Sequence, residues 1–261
     1  MRLRIANRVF APRPWAVLVT AATLAAFVSL GWWQIGRGRE KQALVESFAR
    51  GTQTSVKLAD DVTVDELPRY QHVRAEGRYD PTRQVLVDNM PSQAGRPGYR
   101  VLTPFRREGS DRLLLVDRGW VPLGESRDAL PPIDVSSEFR AVAGRLDELP
   151  APGVRVGQPG TPGDQRWPRV LNFPRTEDLE QALGEPVESR IVLLDVAAPD
   201  GFERIWRPAL PFGPERHLGY AIQWFALAIA TLVIFIALSL QRTGSDAGAG
   251  AGAGTTPDDK R

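Results

Sequence analysis

The sequence predicts two transmembrane α-helices that flank an extracytoplasmic, mainly antiparallel β (α+β) domain. Residues 15–35 and 218–240 form two uncharged runs, each longer than the roughly 18 apolar residues that indicate a bilayer-spanning helix. Between them, short runs of alternating apolar and polar residues are separated by Gly, Pro and Asp. That alternation is typical of β-strands with one buried face.

The composition restricts the function before any motif is considered. The chain has 261 residues, of which 33 are basic and 31 acidic, so its net charge is +2. Such a small charge does not suggest a nucleic-acid partner. There is no cysteine, which excludes disulfides, thiolate metal sites, CxxC redox pairs and covalent attachment of a c-type haem.

The first 14 residues are basic and set the predicted orientation. Arg2, Arg4, Arg8 and Arg13 precede the first run with no acidic residue among them, so residues 1–14 are expected to stay in the cytoplasm. A cleaved signal peptide is the alternative for residues 15–35. The run is longer than the usual apolar core of such a peptide and ends in "GWWQIGR", which favours an uncleaved helix with an interfacial aromatic belt.

The central segment, residues 36–214, is predicted to be the extracytoplasmic domain. It opens with an amphipathic helical stalk, "REKQALVESFAR", that ends at Gly51. Six strands follow, in "YQHVRAEGRY", "QVLVDN", "YRVLTPF", "LLLVDRGWV", "FRAVAGRL" and "RIVLLDV". One short helix is expected at "TEDLEQALG", with Thr176 as N-cap and Gly184 at its end. A Pro- and Gly-rich loop is expected from Leu149 to Pro168.

The second run, residues 218–240, returns the chain to the cytoplasm. Both termini are then cytoplasmic, and the protein is a multi-pass protein of the cell membrane with its central domain outside. Residues 241–261 are small, polar and repetitive, so they are predicted to be a disordered cytoplasmic tail.

No motif in the sequence indicates catalysis. The chain has no GxSxG elbow, P-loop, HExxH or dinucleotide-binding GxGxxG. The two histidines, His72 and His217, are too few for a multi-histidine metal site within one chain. His72 falls on the polar face of a predicted strand and is interpreted as a surface residue. We therefore expect no enzymatic activity.

His217 opens a stripe along one face of the second predicted helix, followed by Tyr220, Ala221, Trp224, Phe225 and Ala228. Arg216 adds a cation at the same level. These residue types could supply an axial nitrogen, a partner for propionates and aromatic walls for a haem. They are equally typical of a helix end anchored at the membrane interface without any ligand.

Packing of the two helices is expected to bring the ends of the runs together. Ala22, Ala26 and Ser29 are small enough to let another helix approach closely. In an antiparallel pair, Gln34 and Arg37 would lie at the same membrane level as Arg216 and His217.

An ordered set of motifs connects these elements: "LGWWQIGR", "YQHVRAEGRYD", "RPGYRVLTPF", "LLVDRGWVP" and "RHLGYAIQWFALA". From about Leu30 to Ala228, their order and topology resemble the surfeit locus protein 1 family. The resemblance implies an assembly factor for haem-copper cytochrome c oxidase that assists delivery or insertion of haem a into the catalytic subunit. Its implied partners are that subunit, haem a synthase and the lipid bilayer.

In that family the histidine at the start of the second helix, matched by His217, is linked to haem binding. The resulting hypothesis makes His217 an axial ligand of the haem iron, Arg216 and Arg37 partners of the propionates, and Tyr220 and Trp224 wall residues. A cofactor-free, membrane-anchored scaffold that stabilises an oxidase assembly intermediate is the main alternative. A two-span sensor or envelope enzyme also fits the topology but has no supporting motif. For Tyr99, Arg118 and Trp120 the motifs allow either partner contacts or a role in shaping the domain.

Overall fold

The computed structural model of the chain forms two compact units. One comprises Met1–Gln42 with Leu210–Arg261, and the other comprises Ala43–Ala209. The structure describes residues 3–5, 8–59, 62–124, 129–150, 166–208, 210 and 212–242.

The elements follow one another in an α+β order that begins and ends in the first unit. In chain order they are β1 (Leu3–Ile5), β2 (Arg8–Phe10), α1 (Pro14–Arg50), β3 (Ser55–Lys57), a 3₁₀ turn (Val64–Glu66), β4 (His72–Tyr79), β5 (Val85–Asp88), β6 (Gly98–Arg107), β7 (Leu113–Pro122), β8 (Arg140–Asp147), β9 (Arg169–Asn172), α2 (Thr176–Leu183), β10 (Val187–Leu194), α3 (Pro214–Ser239) and β11 (Leu240–Arg242).

The two long helices, α1 and α3, are long and apolar enough to span a bilayer. Each begins at a proline, whose fixed φ and missing N–H suit the first helical turn. Helix α1 continues without a break from the apolar run through the stalk to Arg50, so the predicted span and stalk are one helix. Two transmembrane helices flanking a β-rich domain are confirmed.

A short three-stranded sheet pairs the two strands that precede α1 with the strand that follows α3, in the order β1-β2-β11. The sequence did not predict it, because runs of three residues carry no clear alternation. Leu240, predicted as the last residue of the second helix, instead begins β11, and Gln241 and Arg242 follow in the same strand. The rest of the predicted tail, residues 243–261, lies outside the described residues, as do residues 151–165 of the predicted Pro- and Gly-rich loop.

The second unit is built around a closed β-barrel. Its circuit runs β4-β8-β10-β7-β6, and β6 pairs back onto β4. Closure occurs at Gly77 of β4, which lies opposite Arg140 on β8 and opposite Arg107 on β6. All pairs in the circuit are antiparallel except β10 with β7. Strand β3 extends the sheet beyond β4, and β5 and β9 extend it beyond β6.

Strand β7 runs through the centre of the core, which explains why its sequence is apolar without alternation. Leu114 and Val116 belong to one buried cluster, together with Phe105 of β6. Leu115, on the opposite face of the strand, packs in a second cluster with Leu179 of α2. The barrel and the covering helix therefore share one central strand.

Helix α2 differs from its prediction by one residue at its start. Thr176 is the first helical residue and Arg175 is the N-cap. The carboxylate of Asp178 accepts a hydrogen bond from the backbone N–H of Arg175 at 2.8 Å, which satisfies a donor at the helix end as a capping residue would. Gly184 ends the helix as predicted, with φ +72°.

Candidate functional site

Helices α1 and α3 pack against each other in antiparallel fashion within the first unit. The closest approach is at Gly31, where an added Cβ would lie 2.7 Å from the ring of Phe225. About two helical turns further along α1, a Cβ on Gly38 would lie 3.4 Å from the Cβ of His217. Glycine at position 31 therefore lets the second helix come near the backbone of the first, whereas the distance at Gly38 is that of an ordinary van der Waals contact.

The helix face predicted from small residues is wrong. Ala22, Ala26 and Ser29 are all exposed, whereas Gly31 is buried. The contact stripe of α1 instead contains Phe27, Gly31, Gln34 and Gly38. An alanine-rich span offers small residues on every face, so small size alone could not identify the face that packs.

The packing brings His217 to Gln34. Nδ1 of His217 lies 2.8 Å from Oε1 of Gln34, and the imidazole is half-buried. With the amide oxygen as acceptor, the proton resides on Nδ1 and the lone pair on Nε2. Within the described part of the chain, Nε2 has no hydrogen-bond partner. The predicted shared level of these two residues is thus observed.

Aromatic side chains line the helix pair below His217. The ring of Trp224 lies 5.7 Å from that of Phe27, and the ring of Phe225 lies 6.2 Å from that of Trp32 in an edge-on arrangement. Tyr220, the remaining aromatic residue of the predicted stripe, is 50% exposed. Trp224 therefore belongs to the contact between the helices, while Tyr220 points away from it.

The two arginines of the predicted site are both exposed, and among the described residues neither forms a hydrogen bond with His217. Arg37 forms an ion pair with Glu40 at 2.9 Å, and its guanidinium lies 5.9 Å from the ring centre of Trp33. Arg216 lies 4.5 Å from the ring centre of Phe212. Exposed pairs of this kind contribute at most about 1 kcal/mol, so either arginine can exchange its partner for an anionic ligand.

This arrangement is suited to binding one metal centre through a single protein nitrogen. A metal-ligating histidine usually donates its second ring N–H to a carbonyl or carboxylate, which fixes the tautomer and the ring. The bond to Gln34 does this and leaves Nε2 as the free ligand atom. Among the described residues there is no cluster of His, Cys, Asp and Glu that could hold a metal ion. The residues present fit an iron porphyrin better than a bare ion.

The other histidine, His72, was predicted to be a surface residue, but hydrogen bonds hold its ring in place. Its Nδ1 lies 2.9 Å from Oγ of Ser55, and its Nε2 lies 2.8 Å from Oδ2 of Asp195. Its side chain is 18% exposed. Both ring nitrogens are occupied, so His72 connects elements of the β domain and has no free nitrogen for a ligand. It also provides a contrast with His217.

The motif residues of the β domain are structural. Tyr99, Arg118 and Trp120 are all buried, which agrees with the interpretation that they shape the domain. Burial lowers the pKa of Arg118, and the nearby Tyr79 and Asp200 oppose that shift. Its guanidinium nevertheless donates to several carbonyl oxygens, so a charged side chain organises this part of the core.

The residues that the sequence did not identify are Phe27, Gly31 and Gly38. Gly31 and Gly38 are seven residues apart, and Gln34 lies between them on the same helix face. A glycine repeat with that spacing was therefore available as a signal for the contact face. The pairing of Phe27 with Trp224 had no signal in the sequence, since apolar aromatics occur all around both spans.

Comparison with known proteins matches most of the chain to one family. The model of the SURF1 family matches residues 21–229. A SURF1-like protein of Rickettsia conorii is 26% identical over 225 residues, covering 82% of this chain and 87% of that protein. A SURF1-like protein of Drosophila melanogaster is 27% identical over 251 residues, covering 85% and 75%. Surfeit locus protein 1 of Xenopus tropicalis is 26% identical over 240 residues, covering 82% and 71%. The matched range includes both Gln34 and His217.

Proposed function

The chain belongs to the SURF1 family, and on that premise we propose that it is an assembly factor for haem-copper cytochrome c oxidase that assists delivery or insertion of haem a into the catalytic subunit. Family membership supports the assembly role. The finer proposal, that this chain binds haem a itself, depends on the residues around His217.

The observation that carries the haem proposal is the hydrogen bond between His217 and Gln34, 2.8 Å long. It orients the imidazole and places the lone pair on Nε2, the atom that would bind the haem iron as an axial ligand. When bound, haem a supplies the iron porphyrin that later serves the oxidase as a redox centre. Of His72 and His217, only His217 has a ring nitrogen without a hydrogen-bond partner among the described residues.

The remaining residues would hold the porphyrin from its edges and faces. Arg216 and Arg37 would neutralise the propionates, because both guanidiniums are exposed and their present partners are exchangeable. Tyr220, which is 50% exposed, offers a free aromatic face. Trp224 would support that wall from inside the helix pair through its contact with Phe27.

A delivery factor has to release its cargo, and this site suits release. Only His217 of the two histidines has a free ring nitrogen among the described residues, so this chain would hold a haem through one nitrogen, more weakly than a bis-histidine site would. In the proposed orientation both termini are cytoplasmic and the β domain lies outside the cell membrane. The partners would be the oxidase catalytic subunit and haem a synthase, and the chain would act by binding, without enzymatic catalysis.

The test compares the haem spectra of wild-type protein and His217→Ala, each purified from cells that make haem a. We expect the wild type to retain haem and His217→Ala to lose most of it. The matched control is His72→Ala, which removes the histidine whose two nitrogens are already occupied and should keep the spectrum. Unchanged haem content and spectrum in His217→Ala would rule out the ligand assignment.

A second candidate is a cofactor-free scaffold for an oxidase assembly intermediate. Exposed apolar side chains on the β domain favour contact with another protein: Phe139 is 52% exposed and Val196 is 64% exposed. To separate the candidates, the haem a pathway is deleted and co-purification with the catalytic subunit is measured. Association that persists without haem a supports the scaffold, and association that disappears supports the haem-dependent role.

A further inference from the structure

A cavity lies in the helix pair, at the opposite ends of α1 and α3 from His217. Its volume is about 510 Å³, within the range of small-ligand sites. Apolar side chains dominate the walls, among them Val19, Ile234 and Leu238. Ala11 and Ser239 also line it, and the backbone N–H of Ala11 donates to the carbonyl of Ser239 at 3.0 Å.

One cation borders this apolar cavity. Arg13 lies on its wall and is exposed, and it forms no ion pair with any residue that the structure describes. The first acidic residue in the sequence is Glu40, and the segment before Arg13 adds Arg2, Arg4 and Arg8. By sequence, the segment that precedes α1 is therefore basic.

An aromatic side chain marks the level of the cavity. Trp15 also lines it and is 62% exposed, as expected of a tryptophan at the boundary between headgroups and acyl chains. An apolar cavity at that boundary suits an acyl chain, while an unpaired arginine suits an anionic headgroup. A zwitterionic choline lipid would instead place a cation near Arg13.

We propose that this cavity binds an anionic phospholipid of the bilayer, with its acyl chain between α1 and α3 and its phosphate next to Arg13. Basic sites between transmembrane helices commonly select such lipids. The site is separate from the proposed haem site and does not depend on it. Its occupancy would stabilise the ends of the two helices where the chain enters and leaves the bilayer.

The test uses the full chain in nanodiscs that contain equimolar phosphatidylglycerol and phosphatidylcholine with identical acyl chains. After transfer to mild detergent, native mass spectrometry identifies the lipid that stays bound. We expect phosphatidylglycerol to be retained in excess, and Arg13→Gln to lower its ratio to phosphatidylcholine about fivefold, as one basic residue near the surface contributes about 1 kcal/mol.

Two further variants distinguish the site from general surface charge. Arg39→Gln removes an exposed arginine near the other end of the apolar run and should leave the ratio unchanged. Ala16→Phe fills part of the cavity and should reduce both bound lipids. Equal retention of the two lipids by the wild type, or an equal effect of Arg39→Gln and Arg13→Gln, would overturn the proposal. A retained mass of a quinone or a porphyrin in place of phospholipid would also overturn it.

Discussion

The imidazole of His217 and the amide of Gln34 come from different helices and meet at 2.8 Å, Nδ1 to Oε1. On the same α1 face, a Cβ built on Gly38 would lie 3.4 Å from the Cβ of His217, which is ordinary van der Waals contact. The orientation of the candidate ligand thus depends on a residue 183 positions earlier in the chain.

Replacing Gln34 should weaken haem binding without removing the ligand. In Gln34→Leu the ring of His217 loses its acceptor, and loss of such a partner typically costs about 10- to 100-fold in metal affinity. Titration of the purified variant with haem a should show that decrease together with a shifted spectrum. Gln223→Leu is the control, because Gln223 is exposed on α3 and should leave affinity unchanged. Equal effects of the two variants would show that Gln34 does not position His217.

The helix contact at Gly31 should tolerate almost no enlargement. A Cβ there would lie 2.7 Å from the ring of Phe225, so Gly31→Val should destabilise the pair by about 1–3 kcal/mol through overpacking. Thermal unfolding in detergent would report the loss. Phe225→Leu in the same chain should restore part of it, and Gly36→Val, at a position with open space around its Cα, should have a smaller effect. A full loss without any rescue would contradict this contact.

Arg118 should be essential for the stability of the β domain. Its side chain is 1% exposed. The guanidinium donates to the amide oxygen of Gln84 and to the backbone carbonyls of Asp200, Ile133 and Asp134. In Arg118→Met the carbonyls of Asp200 and Asp134 lose this donor, whereas the Gln84 amide oxygen keeps the Thr103 hydroxyl and the Ile133 carbonyl keeps the Gln84 amide. The loss of these charge-assisted hydrogen bonds should cost about 3–5 kcal/mol in total. Chemical denaturation followed by tryptophan fluorescence measures this loss.

The exposed Arg78 provides the matched control for Arg118. Among the described residues it donates to the carbonyl of Ser137 at 3.3 Å and lies 5.7 Å from the ring centre of Phe139. Because these contacts are exposed, Arg78→Met should change the free energy of unfolding by about 0.5 kcal/mol or less. Similar losses in both variants would mean that the buried hydrogen bonds of Arg118 do not determine the stability of the domain.

The sequence was sufficient for most of the fold because its periodic segments are long. The six predicted strands correspond to β4, β5, β6, β7, β8 and β10, and α2 lies where it was expected. Strand β3 was missed because Ser55–Lys57 is too short to show alternation. Strand β9 was missed because Arg169–Asn172 directly follows the predicted Pro- and Gly-rich loop that ends at Pro168. Barrel closure at Gly77 depends on pairing between distant strands, which local pattern does not encode.

The candidate site was only partly predictable for a related physical reason. Composition and spacing identified His217, Arg216 and Trp224 as the members of one helix end. The spacing of Gly31 and Gly38 was a signal for the face of α1 that meets that end, but apolar and small residues on every face of the span obscured it. The hydrogen bond to Gln34 emerged only when the two helices were packed together.

Acid should destabilise the β domain partly through Arg83. This guanidinium pairs with Asp80 at 2.7 Å and with Glu185 at 2.8 Å. Burial raises the pKa of Asp80, but hydrogen bonds from Thr82 and Arg83 outweigh it and leave the pKa below its usual value. Hydrogen bonds from Arg106 and Arg83 also lower the pKa of Glu185.

Because both carboxyls have lower pKa values in the folded chain than in the unfolded chain, their stabilising effect is present above the unfolded value of about 4 and is lost as the pH falls through the folded values. Arg83→Gln should therefore lower the melting temperature at pH 7, and its difference from the wild type should shrink as the pH falls below about 4. The part of the difference that comes from the hydrogen bond of Arg83 to the Leu183 carbonyl, 2.8 Å long, should persist at every pH. Burial raises the pKa of Asp117 despite the neighbouring Arg100, so the effect of this carboxyl on stability changes with pH in the opposite direction. Arg83→Gln leaves Asp117 unaffected. Arg78→Gln, which breaks no carboxylate pair within the described residues, should differ from the wild type equally at every pH. A constant difference for Arg83→Gln across the same range would show that its ion pairs carry none of the acid sensitivity.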